Sequence, residues 1–313
     1  MPRISIIVAA FDADKYLRRC LDSLTVQSFK DFEAVIIDDG STDGTGYIAE
    51  EYAARDNRFR VFHQANQGVA AARQAGLDQV CGEYVIHADA DDWLEPTMLA
   101  ELESCARKTN ADMVVCDFLL HRSETQIEHW EHNFRSLDAK TVLGEMLYDH
   151  LGTLWNKLIR LSCIRSFRLG FNSNLKVCED QVFLLYFLAH DVTVAQVQKP
   201  LYHYDVSINA NSFSNKGIRI EQRMEVMKMI AEYTDIAPFR DYYDNAILHV
   251  AYDGLLWPEL CTDFRAVFSP YEEALKRAQG LPKRVKILVL AELKGFSLPI
   301  KVFRALKRAF VSR

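Results

Sequence analysis

With 313 residues, 49% of them hydrophobic and 26% charged, the chain is long enough for one large α/β domain plus a substantial appendage and too apolar for disorder to dominate. Its seven cysteines include no CxxC pair, which argues against a zinc site or a disulfide framework and for a reducing compartment. The formal charge of −6 conceals an asymmetry: residues 283–313 carry nine Lys/Arg against the single acid Glu292, so the body is acidic and the tail basic, and no nucleic-acid partner is expected.

Residues 4–10 read as an apolar strand, too short for the core of a signal peptide. No stretch approaches the roughly 20 apolar residues of a membrane span, so a cytoplasmic protein is expected. Tyr16, Leu17, Cys20, Leu21 and Leu24 then recur at helical spacing, and residues 32–37 form another buried run. The alternation continues with a helix over 45–54, a strand over 59–63, a helix over 69–80 and a strand over 84–88. A helix over 96–108 and a strand over 113–119 complete it. Repeated βα units of this length predict an α/β fold with a mainly parallel sheet flanked by helices. Residues 121–150, with His121, His129 and His132 among many charges, read as a connection. From about residue 215 the pattern is helical, with Met224, Met227 and Ile230 on one face, giving a division into a catalytic domain over 1–215 and a helical region over 216–313.

In an open parallel sheet, ligands bind beyond the carboxyl ends of the strands, so polar residues directly after apolar runs carry the information. Val35-Ile36-Ile37 is followed by Asp38-Asp39-Gly40-Ser41-Thr42-Asp43, and Tyr84-Val85-Ile86 by His87-Ala88-Asp89-Ala90-Asp91-Asp92-Trp93. Carboxylates gathered in a small volume repel unless a cation or hydrogen-bond donors neutralise them. Hard oxygen ligands suit Mg²⁺ or Mn²⁺ with positions open to phosphate oxygens. The first cluster also suits a plain turn and helix cap. Three carboxylates in four residues, Asp89, Asp91 and Asp92, exceed what a turn requires.

The ordered series of residues 4–10, 16–24, 27–33, Asp38–Asp43, Gly68–Arg73, Gly82–Tyr84 and Asp89–Trp93 resembles the family 2 glycosyltransferases with the GT-A fold. The resemblance is dense over residues 3–100 and sparser over 150–215. It implies an inverting enzyme that moves a sugar from a nucleotide-sugar, a UDP-sugar by analogy, to a hydroxyl of a glycan or lipid-linked acceptor. By the same resemblance Asp39, with Asp38 beside it, would meet the uracil, and Asp89 would lie near the donor's ribose and sugar. Asp91 would bind Mn²⁺ or Mg²⁺, with Asp92 assisting. Arg73 matches an arginine near the nucleotide, though an exposed helix charge is the alternative. Trp155-Asn156-Lys157-Leu158 and Cys178-Glu179-Asp180-Gln181 match later blocks, in which Asp180 would be the catalytic base, a role compatible with capping the helix that follows. His203, in Tyr202-His203-Tyr204, would be a further metal ligand or a packed histidine.

Two departures stand out. After the first strand the family usually has Pro-Val-Tyr-Asn where this chain has Ala9-Ala10-Phe11-Asp12, which alters the nucleotide contacts expected from Ala9 and Phe11. The arginine often found after the Tyr-His-Tyr block is Asp205 here.

The tail over 283–313 combines an apolar series with its nine cations, a composition that suits either an anionic membrane surface, on the inner face of the plasma membrane, or a terminal helix packed on the body. An oxidoreductase or nucleotidyltransferase would require a glycine-rich loop after the first strand, and residues 9–15 contain no glycine. The remaining alternative is a non-catalytic nucleotide-sugar-binding or assembly protein of the same fold.

Overall fold

A computed structural model describes residues 1–149, 152–175, 177–208, 218–297 and 300. The chain divides into two compact units, residues 1–142 with 152–216 and residues 143–151 with 217–313. The helical unit therefore also takes a short piece from the middle of the chain.

The first unit runs β1 (Ile4–Ala10), α1 (Leu17–Thr25), β2 (Phe32–Asp38), α2 (Thr45–Arg55), β3 (Phe59–His63), α3 (Val69–Gln79) and β4 (Tyr84–Asp89). It continues with β5 (Trp93–Leu94), α4 (Met98–Thr109), β6 (Met113–His121) and β7 (Ile127–Trp130), while α5 (Ala139–Asp149) begins in this unit and from residue 143 belongs to the second. β8 (Lys157–Arg160), α6 (Leu161–Ser166), α7 (Glu179–Leu188) and β9 (Val194–Asp205) complete it. The strands form one sheet in the order β3-β2-β1-β4-β8-β6-β9-β5, with β7 paired to β6. β1 lies parallel to both β2 and β4, and β2 parallel to β3, whereas β8 is antiparallel to β4 and β6. The result is an α/β fold with a mixed, mostly parallel sheet.

β1 and β2 read as unbroken apolar runs because both faces are covered: Ile4, Ile6, Ile7 and Val8 are wholly buried, as are Ala34, Val35 and Ile36. Burying each large aliphatic side chain contributes about 1.5–3 kcal/mol. α3 lies against β1 and β2. It comes so close that a methyl group at Gly76 would collide with the side chain of Ile7.

The segment expected to be a connection is more ordered than its composition suggests. β7 forms an antiparallel ladder with the end of β6, Phe118 opposite Trp130 and His121 opposite Ile127. Ile127 and Trp130 are 49% and 39% exposed, so this short edge strand lacks the buried face that would betray it in the sequence.

The second unit contains α8 (Ile220–Tyr233), α9 (Arg240–Leu256), α10 (Phe264–Phe268), α11 (Glu272–Arg277) and α12 (Lys283–Leu293). Met224, Met227 and Ile230 are buried on α8. Asp244 of α9, itself buried, accepts two hydrogen bonds from Arg277 of α11. On α12 Val285, Val289 and Leu293 are buried, while Ile287 and, just beyond the helix, Phe296 are 65% and 69% exposed. Residues 301–313, which hold five of the tail's nine cations, lie outside the described residues.

Candidate active site

Strand register brings the two acidic turns to one edge of the sheet. Ala10, at the end of β1, pairs with Asp38 on β2, and Ala9 pairs with Asp89 on β4. Phe11, immediately beyond, is 49% exposed. The chain then turns through Asp12 at φ 44°, where Asp12 Oδ1 accepts from the Thr42 backbone N–H at 2.8 Å. The Ala13 N–H donates to Thr45 Oγ1 at 2.7 Å. These bonds lace the loop after β1 to the loop after β2.

The turn after β2 is satisfied by near neighbours. Asp38 Oδ1 accepts from the Ser41 N–H, and its Oδ2 meets His63 Nδ1 at 2.8 Å. Asp39 Oδ1 accepts from Gln64 Nε2 and the Gln67 N–H, and its Oδ2 from the Gly68 N–H at 2.8 Å. A carboxylate offers about four lone-pair sites, so Asp39 has capacity for one further donor. Gly40 at φ 74° lets the turn pass close to the loop after β3: a methyl there would stand 2.7 Å from the Asn66 nitrogen.

The turn after β4 is held from afar. Arg73 of α3, only 5% exposed, donates from Nη2 to Asp89 Oδ1 at 2.8 Å and from Nη1 to Glu179 at the start of α7. Burial opposes the guanidinium charge, and Asp89, Glu179 and Asp180 outweigh it, raising the Arg73 pKa. Asp92 is wholly buried: Oδ2 accepts from Tyr202 Oη at 2.9 Å and Oδ1 from the Asp205 N–H at 2.9 Å. Burial, then Asp91 and Asp89, push its carboxyl well above the usual range. Asp91 lies between these groups and is partly exposed.

Asp180 stands in the first turn of α7, beside Glu179, and its Oδ1 accepts from the Gln181 N–H at 2.7 Å. The helix N-terminus favours negative charge there. Cys178, just before the helix, has φ 62°, a left-handed conformation that costs a non-glycine residue about 1–3 kcal/mol and recurs where a site imposes it. Burial raises the pKa of both carboxyls, Arg73 opposes the rise, Asp180 raises Glu179 further, and Asp89 raises both. Lys157 is wholly buried, its ammonium donating to Thr153 O at 2.6 Å and Asn156 Oδ1 at 2.7 Å. Burial brings its pKa down to about 7, against a smaller upward pull from Cys116 and Asp180. Asn156 Nδ2 donates in turn to Cys116 O and meets His132 Nε2 at 2.8 Å.

The structure thus joins Arg73, Asp89 and the Glu179-Asp180 pair, residues far apart in sequence, and gives Arg73, Asp92 and His203 partners within the protein. Arg73 is not an exposed helix charge: it is buried, and its guanidinium donates to two carboxylates. Asp92 points inward with both oxygens hydrogen-bonded, an arrangement that anchors the turn. His203 has both ring nitrogens engaged, Nδ1 with His121 Nε2 at 2.9 Å and Nε2 with Glu95 Oε1 at 2.8 Å, and stacks on Trp93, so it is a packed histidine. Glu179 and Lys157 were overlooked; both stand in the quoted blocks, and the signal for Glu179 was a second acid beside the expected base.

Among the described residues no group of three or more His, Cys, Asp or Glu is arranged to hold a metal ion. The donor set nevertheless suits a hard dication that draws most of its ligands from a diphosphate and water, since such an ion needs only one or two protein carboxylates. Asp91 is partly exposed, and Asp89 gives Arg73 only Oδ1.

The model of the family "Glycosyl transferase family 2" matches residues 5–177. Putative glycosyltransferase EpsH of Bacillus subtilis (strain 168) is 36% identical over 225 residues, 67% of this chain and 62% of that protein. The cholesterol galactosyltransferase of Borreliella burgdorferi is 31% identical over 214 residues, 64% of this chain and 59% of that one. The matched regions thus span under two thirds of these relatives' own length. In structure the chain is similar to S. aureus TarS 1-349 in complex with UDP-GlcNAc, with TM-score 0.72 and 21% identity over 99% of this chain and 92% of that one. It also resembles the mannosyltransferase PcManGT from Pyrobaculum calidifontis in complex with GDP-Man and Mn²⁺, with TM-score 0.57 and 13% identity over 99% and 85% of the two chains. Structural likeness at these identities shows the shared GT-A fold, and the family match carries the assignment: this chain belongs to glycosyl transferase family 2.

Proposed function

We propose that the protein transfers a sugar from a nucleotide-sugar, a UDP-sugar, to a hydroxyl of a glycan or lipid-linked acceptor, with inversion at the anomeric carbon. The observation that carries the reading is the Arg73 bridge, which brings the acidic turn after β4 and the Glu179-Asp180 pair to one edge of the sheet. A donor held at the turn would there lie beside a carboxylate able to accept a proton. The TarS complex with UDP-GlcNAc supports a uridine donor on this fold.

The following roles are compatible with the geometry. Asp39, with one lone-pair site remaining, accepts the imide N–H of the base, and Asp38 is fixed beside it by Ser41 and His63. Phe11 and the backbone of Ala9 border the same edge. Asp89, oriented by Arg73, accepts from donor hydroxyls. Asp91 would hold Mn²⁺ or Mg²⁺, which when bound neutralises charge gathering on the departing diphosphate. Asp180 takes the proton from the acceptor hydroxyl as that oxygen bonds to the anomeric carbon and the bond from that carbon to the diphosphate oxygen breaks. The raised Asp180 pKa makes the carboxylate a better proton acceptor at neutral pH than an ordinary aspartate.

The described part of the tail fits an additional role at a lipid surface. Ile287 and Phe296 are exposed beside Lys283, Arg284 and Lys294, an arrangement that suits an anionic bilayer face where a lipid-linked acceptor would reside. No described helix is long and apolar enough to cross a membrane.

Calorimetry with a panel of nucleotides and nucleotide-sugars, with and without Mn²⁺, tests the donor class. Metal-dependent binding of UDP-sugars that weakens in Asp91→Ala is the expected result, and no binding of any nucleotide would overturn it. Truncation of residues 283–313 is expected to reduce sedimentation with anionic vesicles, and unchanged sedimentation would remove the membrane role.

A further inference from the structure

We infer that Arg19, on α1, is the positioning residue that fixes the direction of Asp91, and hence the strength with which the turn after β4 takes a divalent cation. This rests on the reading of Asp91 as the metal-binding acid. Arg19 Nη2 donates to the Asp91 carbonyl oxygen at 2.6 Å, and the N–H at the other end of the same peptide unit, that of Asp92, donates to Asp89 O at 3.1 Å. A peptide plane bonded at both ends cannot rotate without losing one of them, so the backbone dihedral that aims the Asp91 side chain is set.

The bond belongs to a closed circuit. Arg19 Nη1 pairs with Asp205 Oδ2 at 3.1 Å, the Asp205 N–H donates to Asp92 Oδ1 at 2.9 Å, and Asp92 adjoins the peptide that Arg19 holds. The guanidinium also lies over the ring of Trp93, 3.8 Å from its centroid, and Trp93 follows Asp92 directly. Arg19 is therefore joined to three consecutive residues or their partners. Its planar fork supplies two divergent donors and an aromatic contact together, which one ammonium cannot do.

The turn requires such a clamp. Asp89, Asp91 and Asp92 crowd three carboxyl groups into one turn, and Asp205, 6% exposed, adds a fourth at the end of β9. Arg73 answers Asp89 and Arg19 answers Asp205. Without Arg19 the turn loses both the cation that pairs with Asp205 at the end of β9 and the bond that orients the Asp91 peptide. A cation taking one or two carboxylates from the protein then meets a floppier, more self-repelling ligand set.

The test titrates Mn²⁺ into protein saturated with UDP, by calorimetry, for wild type, Arg19→Met, Arg19→Lys and Asp205→Asn, alongside UDP binding without metal and thermal unfolding. Removal of residues that orient a metal ligand typically weakens metal affinity about 10–100-fold. A loss in that range is expected for Arg19→Met, a smaller one for Arg19→Lys and Asp205→Asn, with metal-free UDP affinity held within about twofold. A merely structural arginine would lower metal-free UDP binding and thermal stability together and leave the Mn²⁺ step unchanged, which would overturn the inference. If Arg19→Met does not fold, the two milder variants decide by the same criterion. Absence of Mn²⁺-dependent UDP binding in wild type would overturn both this inference and the donor reading, whereas wild-type binding matched by all the variants would overturn this inference alone.

Discussion

The two acidic turns stand at one sheet edge, on either side of β1, and are held in opposite ways. Asp38 and Asp39 are satisfied by Ser41, His63, Gln64, Gln67 and Gly68, all within thirty residues along the chain. Asp89 to Asp92 are held by Arg19, Arg73, Tyr202 and Asp205, reaching as far as 113 residues away. The first turn is a local device that keeps its shape through backbone amides. The second is a node where α1, α3, α7 and β9 converge, so changes there spread to the reacting end of the site.

Arg73→Met is the most severe way to sharpen that contrast. It leaves Glu179, buried, and Asp89, partly buried, without their cation, and such losses typically cost about 3–5 kcal/mol. Urea unfolding should show a drop of that order, partly restored by adding Glu179→Gln. Asp39→Ala strands two backbone amides and the Gln64 side chain, for about 1–3 kcal/mol. Its effect should stay local, with faster amide exchange at Gln67 and Gly68 and unchanged exchange in α7.

The third prediction concerns pH. Only the carboxylate of Asp180 accepts a proton, and burial raises its pKa, so kcat/KM should fall as pH drops through that raised value. Lys157 opposes the rise, so Lys157→Met should move the acid limb to higher pH. An unmoved limb in the variant would sever Lys157 from the base. The smallest effect belongs to His63, whose pKa is raised by Asp38 and Glu50. A raised folded-state value means the stabilisation is full below the unfolded value and disappears as pH rises through the folded one. His63→Ala should therefore lower stability near about pH 5 and leave it unchanged near about pH 9, modestly, because the ring is half exposed.

The same contrast explains what could be read from the sequence. Strands β1 to β4 were legible because buried parallel strands are continuous apolar runs, and the carboxylates following them mark the ligand edge. The orientation of Asp92 was not legible, because it depends on Tyr202 and Asp205, more than a hundred residues on. The choice between a metal ligand and a packed histidine at His203 was not legible for a related reason: its partners His121 and Glu95 come from β6 and from the residue following β5. β7 escaped notice because an exposed four-residue edge strand has no periodicity to show. Arg73 and Asp180 were marked by resemblance alone, and only the fold reveals Glu179 as the link between them.

Asp180 is proposed here as the base of a sugar transfer at the edge to which both turns belong. That role is tested most directly by measuring donor turnover and UDP affinity side by side in wild type and Asp180→Asn. The expected result is UDP binding of wild-type strength with kcat reduced by about 10²–10⁴. Turnover at the wild-type rate in Asp180→Asn would contradict it.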